Sequence, residues 1–157
     1  MDKPLFTDLL CGALALMLLW AAVVDIRTRT IANGLNLAIA LMAPLFWWAA
    51  GVDLWPDAAI RVGVAAAVFL LLALAFYAGA MGGGDVKLAA ALALWFSPAS
   101  TLKLLVLMSL AGGLLTLIVM IEHKYKKNEG RPEVPYGVAI AFGGLWLLAQ
   151  RFLNHFA

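Results

Sequence analysis

Residues 80–87 combine a run of glycines with one acidic and one basic side chain: Ala80-Met81-Gly82-Gly83-Gly84-Asp85-Val86-Lys87. Long apolar segments lie on both sides of this stretch. Three consecutive glycines allow backbone conformations that other residues avoid, and they let a second backbone approach closely. A carboxylate between apolar segments is costly to bury, so Asp85 is a candidate functional residue. Its function would require a partner group from another part of the chain.

The composition indicates a membrane protein with several spanning segments. Of the 157 residues, 65% are hydrophobic and 13% are charged, whereas soluble domains average roughly half apolar and about a quarter charged residues. The net charge is only +2, and no basic segment carries interleaved aromatic residues, so we predict no nucleic-acid partner. The single cysteine, Cys11, excludes an internal disulfide and a cysteine-rich zinc site. His123 and His155 lack the spacing of metal ligands, and no metal site is predicted.

Six apolar segments predict an all-α polytopic membrane protein with six helices in a single domain, residues 1–157. A transmembrane helix needs about 20 apolar residues, and the segments cover residues 5–24, 31–50, 58–79, 86–96, 101–121 and 134–153. The first segment lacks the basic start and the cleavage site of a signal peptide, so we expect it to be retained. The fourth is short, and the glycine-rich break before it predicts irregular backbone that lines a cavity.

The distribution of basic residues predicts the orientation in the membrane. The loops after the first, third and fifth helices hold seven lysines and arginines, and the opposite side holds four. Because basic loops tend to stay in the cytoplasm, we expect both termini on the outer side, which for a bacterial inner membrane is the periplasm. Trp47, Trp48 and Trp55 lie near the predicted outer boundary, as expected for an interfacial belt. The four basic residues of the outer side are Lys3, Arg61, Lys103 and Arg151.

Two of the nine acidic residues, Asp25 and Asp85, lie at the predicted cytoplasmic ends of apolar helices. Two carboxylates that lie close together in a partly dry site share one proton. The ionised member can act as a general base on water while the protonated member polarises a carbonyl group. The pair therefore predicts an aspartyl dyad that hydrolyses peptide bonds. The other acids are expected to face outward (Asp2, Asp8, Asp53, Asp57) or to lie in the polar loop 122–133 (Glu122, Glu129, Glu133).

Each aspartate could instead have a structural role or take part in transport. Asp25 could cap the end of its helix or pair with Arg27 or Arg29, and Asp85 could be the N-cap residue of the fourth helix. A different functional class is a small ion- or proton-coupled transport component that uses both acids as ligands, which requires a polar path across the membrane. The chain has no His-Glu-x-x-His motif and no histidine suitably spaced from a serine. The aspartates are thus the available hydrolytic groups.

Three segments are similar to those of a known family. Gly82-Gly83-Gly84-Asp85 resembles a GxGD motif, and residues 25–33 resemble a region in which an aspartate precedes basic residues and an Ile-x-Asn sequence. Val134-Pro135-Tyr136-Gly137 resembles a Pro-Tyr-Gly segment that opens a last helix. Together these segments resemble the type IV prepilin peptidases, which are GxGD aspartic membrane proteases. The resemblance extends, in order, over nearly the whole chain.

The resemblance implies an inner-membrane aspartic endopeptidase that serves pilus biogenesis and protein secretion. It would remove the leader peptide of prepilins or pseudopilins at the cytoplasmic membrane face, with Asp25 and Asp85 as the catalytic residues. The implied partners are the substrate helix and membrane lipid, and no cofactor or metal is implied. Long family members bind zinc through four cysteines of an extra segment and also methylate the new pilin N-terminus. This chain resembles the short, peptidase-only form of Flp/Tad pili, so methyl transfer is not expected.

Supporting roles are expected for eight residues around the two aspartates. The three glycines would let a substrate backbone approach Asp85. Lys87 could influence the proton of the aspartate pair or contact a lipid phosphate. Asn33 could donate a hydrogen bond near the site or cap the second helix. The Pro-Tyr-Gly segment would shape the cavity wall. These residues are Gly82, Gly83, Gly84, Lys87, Asn33, Pro135, Tyr136 and Gly137.

Overall fold

The computed structural model of the chain describes residues 3–126 and 134–156, with side chains as far as Leu153. The described residues form helices and no strands, which confirms the predicted all-α fold. Asp2, Glu129, Glu133 and the side chain of His155 lie outside the described residues. The six helices are α1 (Lys3–Thr28), α2 (Asn33–Ala50), α3 (Ala59–Tyr77), α4 (Gly83–Ala93), α5 (Pro98–Lys126) and α6 (Tyr136–Phe156), and a single irregular turn, Leu54–Ala58, precedes α3.

Five helical segments of the described chain are long and apolar enough to cross a membrane. They are α1, α2, α5, α6 and α3 together with the turn before it. At about 1.5 Å rise per residue, the 11 residues of α4 cover roughly half of a hydrocarbon core ~30 Å thick. The fourth helix is therefore too short to span alone, as predicted.

α1 continues past the point at which the sequence predicted its end. The first helix was expected to stop before Asp25, but it extends to Thr28. Asp25 follows the buried Leu18 and Ala21 at helical spacing and is buried on the same face. The expectation of a boundary at Asp25 was wrong because this acid belongs to the buried face of the helix.

The glycine-rich break is shorter than predicted because α4 begins within it. Gly82 is the N-cap residue with extended backbone, and Gly83 and Gly84 already belong to the first turn. A Cβ atom at Gly83 would lie 3.3 Å from the ring of Phe76, and one at Gly84 would lie 3.1 Å from the carbonyl oxygen of Ile31. The two helical glycines therefore let α4 pack closely against α3 and the segment before α2, and the irregular backbone is confined to residues 78–82.

α5 is longer than the sequence suggested. Glu122 and His123, predicted to lie in a polar loop, are part of its last turns. An ion pair between Glu122 and Lys126, one helical turn apart, stabilises this end of the helix. The rest of the predicted loop, residues 127–133, lies outside the described residues.

α4 packs against α2, α3 and α6, and it contributes much of the core. Its Leu88 and Leu92 are fully buried, as is Leu18 of α1. Gly144 of α6 faces this cluster, since a Cβ atom there would lie 2.8 Å from Leu18 and 3.3 Å from Leu92. As expected for paired glycines in a membrane helix, the small residue allows close packing.

Side chains from α2 and α3 stabilise the C-terminal end of α4. The indole N–H of Trp47 donates to the carbonyl oxygen of Leu94 at 2.7 Å, and a guanidinium N–H of Arg61 donates to that of Trp95 at 2.7 Å. The last carbonyl groups of a helix have no donor within the helix, so these two side chains supply the missing hydrogen bonds. Trp47 is therefore buried rather than part of an interfacial belt, whereas Trp48 remains exposed.

Candidate active site

Asp25 lies in the last turn of α1, and only 3% of its side chain is exposed. Gly137, in the first turn of α6, packs against it: a Cβ atom at Gly137 would lie 2.8 Å from Oδ2 of Asp25. The backbone N–H groups of Gly137 and Val138 lie beside this carboxyl group, and a helix N-terminus favours negative charge. Oδ2 has no hydrogen-bond partner among the described residues. It is the kind of buried acceptor that a water molecule or a substrate would complete.

Asp85 lies in the first turn of α4, and 8% of its side chain is exposed. The N-cap residue of α4 is Gly82, so the alternative that Asp85 is the N-cap was wrong. Oδ2 of Asp85 lies 2.8 Å from where a Cβ atom at Gly82 would be, and the Gly82 N–H lies beside the carboxyl group. An acidic side chain three residues after the N-cap commonly reaches back in this way. Both aspartates are thus held at the N-terminus of a helix.

One cavity of about 700 Å³, here called the aspartate cavity, is lined by both acids. The charge of Asp25 acts on Asp85, so the two carboxyl groups are electrostatically coupled. Within the described residues no group of three or more His, Cys, Asp or Glu side chains is placed to hold a metal ion. The cavity is lined by Asp25, Thr28, Arg29, Thr30, Gly79, Ala80, Met81, Gly82, Asp85, Thr116, Val134 and Tyr136.

The basic residues after Asp25 do not neutralise it through an ion pair. Among the described residues the only ion pair within 4.0 Å joins Glu122 and Lys126. Asp25 therefore does not form an ion pair with Arg27 or Arg29, although Arg29 lines the same cavity and its charge acts on Asp25.

The turn after α1 brings hydroxyl groups to the cavity wall. Arg29 has a left-handed backbone with φ of 53°, a conformation that costs a non-glycine residue roughly 1–2 kcal/mol. The turn places Thr28 and Thr30 side by side, with their hydroxyl oxygens 2.9 Å apart. Both residues line the aspartate cavity, and sequence reasoning did not single out either of them.

Lys87 and Asn33 lie away from the aspartate cavity. The ammonium group of Lys87 donates to Oδ1 of Asn33 at 2.8 Å, which links α4 to α2. Both residues line a separate apolar groove that also contains Leu37 and Phe69. Asn33 does not cap α2 either, because the N-cap residue is Ala32. The pair therefore connects two helices on the far side of α4 from the aspartates.

Asn36 supports the position of Asp85, and the sequence pattern did not indicate this role. It is 4% exposed, and its side-chain N–H donates to the carbonyl oxygen of Gly84 at 3.0 Å. Gly84 directly precedes Asp85, so this bond fixes the turn that carries the acid. A polar side chain three residues after Asn33, within an otherwise apolar helix, was the available signal.

The Pro-Tyr-Gly segment is divided between the cavity and its surroundings. Tyr136 lines the aspartate cavity. Its ring packs on Gly112 of α5, and a Cβ atom at Gly112 would lie 2.6 Å from the ring. Gly137 lies directly behind Asp25. Pro135 is buried but does not line the cavity; its carbonyl oxygen accepts a hydrogen bond from Val138 at 3.2 Å.

Comparison with known protein families matches residues 12–117 of this chain to the type IV leader peptidase family. The matched part is more than half of the chain and includes both Asp25 and Asp85. The chain belongs to the type IV leader peptidase family. Comparisons with curated proteins and with solved structures gave no match.

Membership of this family confirms the resemblance found in the sequence. The matched residues of the peptidase run from α1 through most of α5, so they include the loop between α3 and α4. Tyr136, which lines the cavity, and Gly137, which packs against Asp25, lie after the matched residues. In the leader peptidase both aspartates thus lie within the matched range, and a cavity wall from α6 lies after it.

Proposed function

We propose that this leader peptidase is an aspartic endopeptidase that cleaves the leader peptides of prepilins or pseudopilins. The observation that supports this most is that two buried carboxyl groups, Asp25 and Asp85, come from separate helices and line one cavity. The GxGD sequence that ends at Asp85 and the family match agree with this assignment.

The two carboxyl groups would supply the acid and the base of peptide hydrolysis. The coupled pair holds one proton in the reactive state. The ionised member removes a proton from a water molecule as the water oxygen attacks the carbonyl carbon, and the protonated member donates a hydrogen bond to the carbonyl oxygen. Collapse of the tetrahedral intermediate breaks the C–N bond, and a carboxyl proton passes to the leaving amine. Water is the only co-reactant.

The position of the cavity favours a hydrolase over the transport alternative. The aspartate cavity lies where α1 ends and where α4 and α6 begin, so it is at one end of the bundle. The fully buried Leu18, Leu88 and Leu92 form an apolar core beyond it. A transporter that used the two aspartates would need a polar path through this layer. A hydrolase needs water from one face only.

The same position suits a substrate that is itself a membrane helix. A prepilin places its leader just outside its hydrophobic segment, so the bond to be cut lies near the membrane surface. We propose that the aspartate cavity faces the cytoplasm of a bacterial inner membrane and that both termini are periplasmic. The sequence count of basic residues, seven predicted on this side against four on the other, supports that orientation.

The direct test is cleavage of a prepilin in membranes that contain Asp25→Asn or Asp85→Asn variants. Each substitution keeps the size of the side chain and removes a carboxyl group that the mechanism needs, so cleavage should fall by at least about a hundredfold. Asp53→Asn is the matched control, because Asp53 is exposed on the loop between α2 and α3. If both site variants cut at the rate of the control, the aspartic mechanism is wrong.

A further inference from the structure

A second polar cavity, of about 430 Å³, lies at the opposite end of the bundle from the aspartate cavity. Three cationic side chains line it: Arg61 near the start of α3, Lys103 near the start of α5 and Arg151 toward the end of α6. Ser97 and Ser100 add two hydroxyl groups, and among the described residues no acidic side chain belongs to the lining. We call this the basic cavity.

Within the described residues, no ion pair balances the positive charges of the basic cavity. Arg61 and Arg151 lie close enough for their charges to act on each other. Asp57 acts on Arg61, and Asp8 lines an adjoining cavity with Arg151, but neither acid forms an ion pair within 4.0 Å in the described part of the chain. Like charges that converge on a partly enclosed space repel each other, and a bound anion would relieve this repulsion.

The two arginines are held in place by contacts that leave most of their donors unused. Arg61 donates one N–H to the carbonyl oxygen of Trp95 at 2.7 Å. A guanidinium group has five N–H donors, so four remain for other partners. The guanidinium group of Arg151 lies over the ring of Phe46, 5.2 Å from its centre. A guanidinium group over an aromatic ring is attracted to the negative face of the ring. Both groups are therefore positioned before any ligand binds.

The start of α5 contributes further donors. The Ser97 hydroxyl lies 3.1 Å from that of Ser100, and its oxygen accepts the backbone N–H of Ser100 at 3.3 Å. Lys103, one turn further along, is exposed and lines the same cavity. The positive end of the α5 dipole adds to the potential at this point. Guanidinium, ammonium and hydroxyl donors thus surround one space.

We propose that the basic cavity binds a phosphate group, supplied by the headgroup of a membrane phospholipid. A tetrahedral phosphate offers several acceptor oxygens, which suits the forked donors of Arg61 and Arg151, and Lys103 adds a point charge. The cavity lies where α3 and α5 begin and α6 ends, which is the level of lipid headgroups for helices that span a membrane. Inorganic phosphate presents the same oxygens and is the other possible source. This site is independent of the chemistry at the aspartates.

Native mass spectrometry of the full chain in detergent tests the proposal with phosphatidylglycerol as the probe. The wild-type protein should retain phosphatidylglycerol more strongly than diacylglycerol with the same acyl chains, because only the former carries a phosphate. Lys103→Gln and Arg151→Gln should each weaken this retention about fivefold, as expected for one cationic contact with an anionic lipid. Lys103→Arg should retain the lipid as wild type does. Lys124→Gln is the matched control, because Lys124 is an exposed lysine at the other end of α5.

A titration with inorganic phosphate separates the two sources. Phosphate from solution is the ligand if two results occur together. Free phosphate raises the unfolding temperature of the wild type and of Lys124→Gln but not that of Lys103→Gln, and lipid retention is the same in all three proteins. If Lys103→Gln and Arg151→Gln match the Lys124→Gln control in both measurements, the proposal is overturned. Because both side chains are exposed, their substitution should leave the fold intact.

Discussion

Gly137 packs directly against the carboxyl group of Asp25, so that a Cβ atom at position 137 would lie 2.8 Å from Oδ2 and 2.9 Å from Cγ. The contact joins the last turn of α1 to the first turn of α6. It brings the N-terminus of α6 against a buried acid without room for any side chain in between. The position of Asp25 in the aspartate cavity therefore depends on a glycine more than one hundred residues away in the sequence.

Gly137→Ala should reduce prepilin cleavage about tenfold or more. The added methyl group would also meet Cδ1 of Ile31 at 2.7 Å, so either Asp25 or α6 must move. Overpacking of this kind typically costs about 1–3 kcal/mol, and here the displaced group is the proposed catalytic acid. The measurement is the rate of leader removal at equal protein level. Gly113→Ala is the control, since nothing lies within 4 Å of a Cβ atom at Gly113; equal rates for the two variants would contradict this reading of the contact.

Asn36→Ala should lower the rate of cleavage by about fivefold, with a loss of stability of roughly 0.5–1.5 kcal/mol. The Asn36 amide holds the carbonyl oxygen of Gly84, and this bond fixes the turn that carries Asp85. The variant should affect kcat more than KM, because Asn36 does not line the aspartate cavity. Steady-state kinetics and a thermal unfolding curve check both effects.

Asn33→Ala serves as the control for that experiment. It removes the exposed hydrogen bond with Lys87, away from the cavity. Its expected effect on kcat is less than twofold, because an exposed hydrogen bond contributes little. A larger loss of kcat from Asn33→Ala than from Asn36→Ala would reverse the assignment of supporting residues.

Trp47→Phe should destabilise the protein by about 1–3 kcal/mol, because the carbonyl oxygen of Leu94 would lose the indole N–H that donates to it. The expected result is a lower unfolding temperature in detergent with little change in KM. Trp48→Phe, an exposed neighbour on the same helix, should change stability by less than about 0.5 kcal/mol. Equal unfolding temperatures for the two variants would show that the end of α4 does not need this donor.

The pH dependence of cleavage should be bell-shaped. At low pH both carboxyl groups are protonated and no base is present, so the rate falls as pH decreases. At high pH both are ionised and no acid is present, so the rate falls again as pH increases. The measurement is kcat/KM over pH with a prepilin substrate in detergent. A rate that rises steadily with pH to a plateau would instead indicate a single base.

The sequence predicted the helices well because a membrane span needs about 20 consecutive apolar residues, which are visible without a structure. It also placed Asp25 and Asp85 at the same end of the bundle, since each follows or precedes a long apolar segment. It misplaced the end of α1 because an acid in a sequence looks like a boundary, whereas helical spacing carries Asp25 onto the buried face. It assigned the glycines at 83 and 84 to a loop, although they are the first residues of α4.

The supporting residues were harder to predict than the aspartates. Lys87 and Asn33 are close in sequence to the two acids, yet the rotation of α4 and α2 directs them to each other and away from the cavity. Thr28 and Thr30 line the cavity on either side of Arg29, whose left-handed backbone forms the turn between them. Such directions depend on tertiary packing, which periodicity in a single sequence does not determine.

The central claim is that Asp25 and Asp85 act as one catalytic unit, and a double-variant cycle tests it most directly. Leader cleavage is measured for Asp25→Asn, Asp85→Asn and the double variant in the same membranes. Residues that work as a unit are strongly non-additive, so each single variant should lose about as much activity as the double variant. Losses that multiply in the double variant, or one single variant that keeps its activity, would contradict the claim.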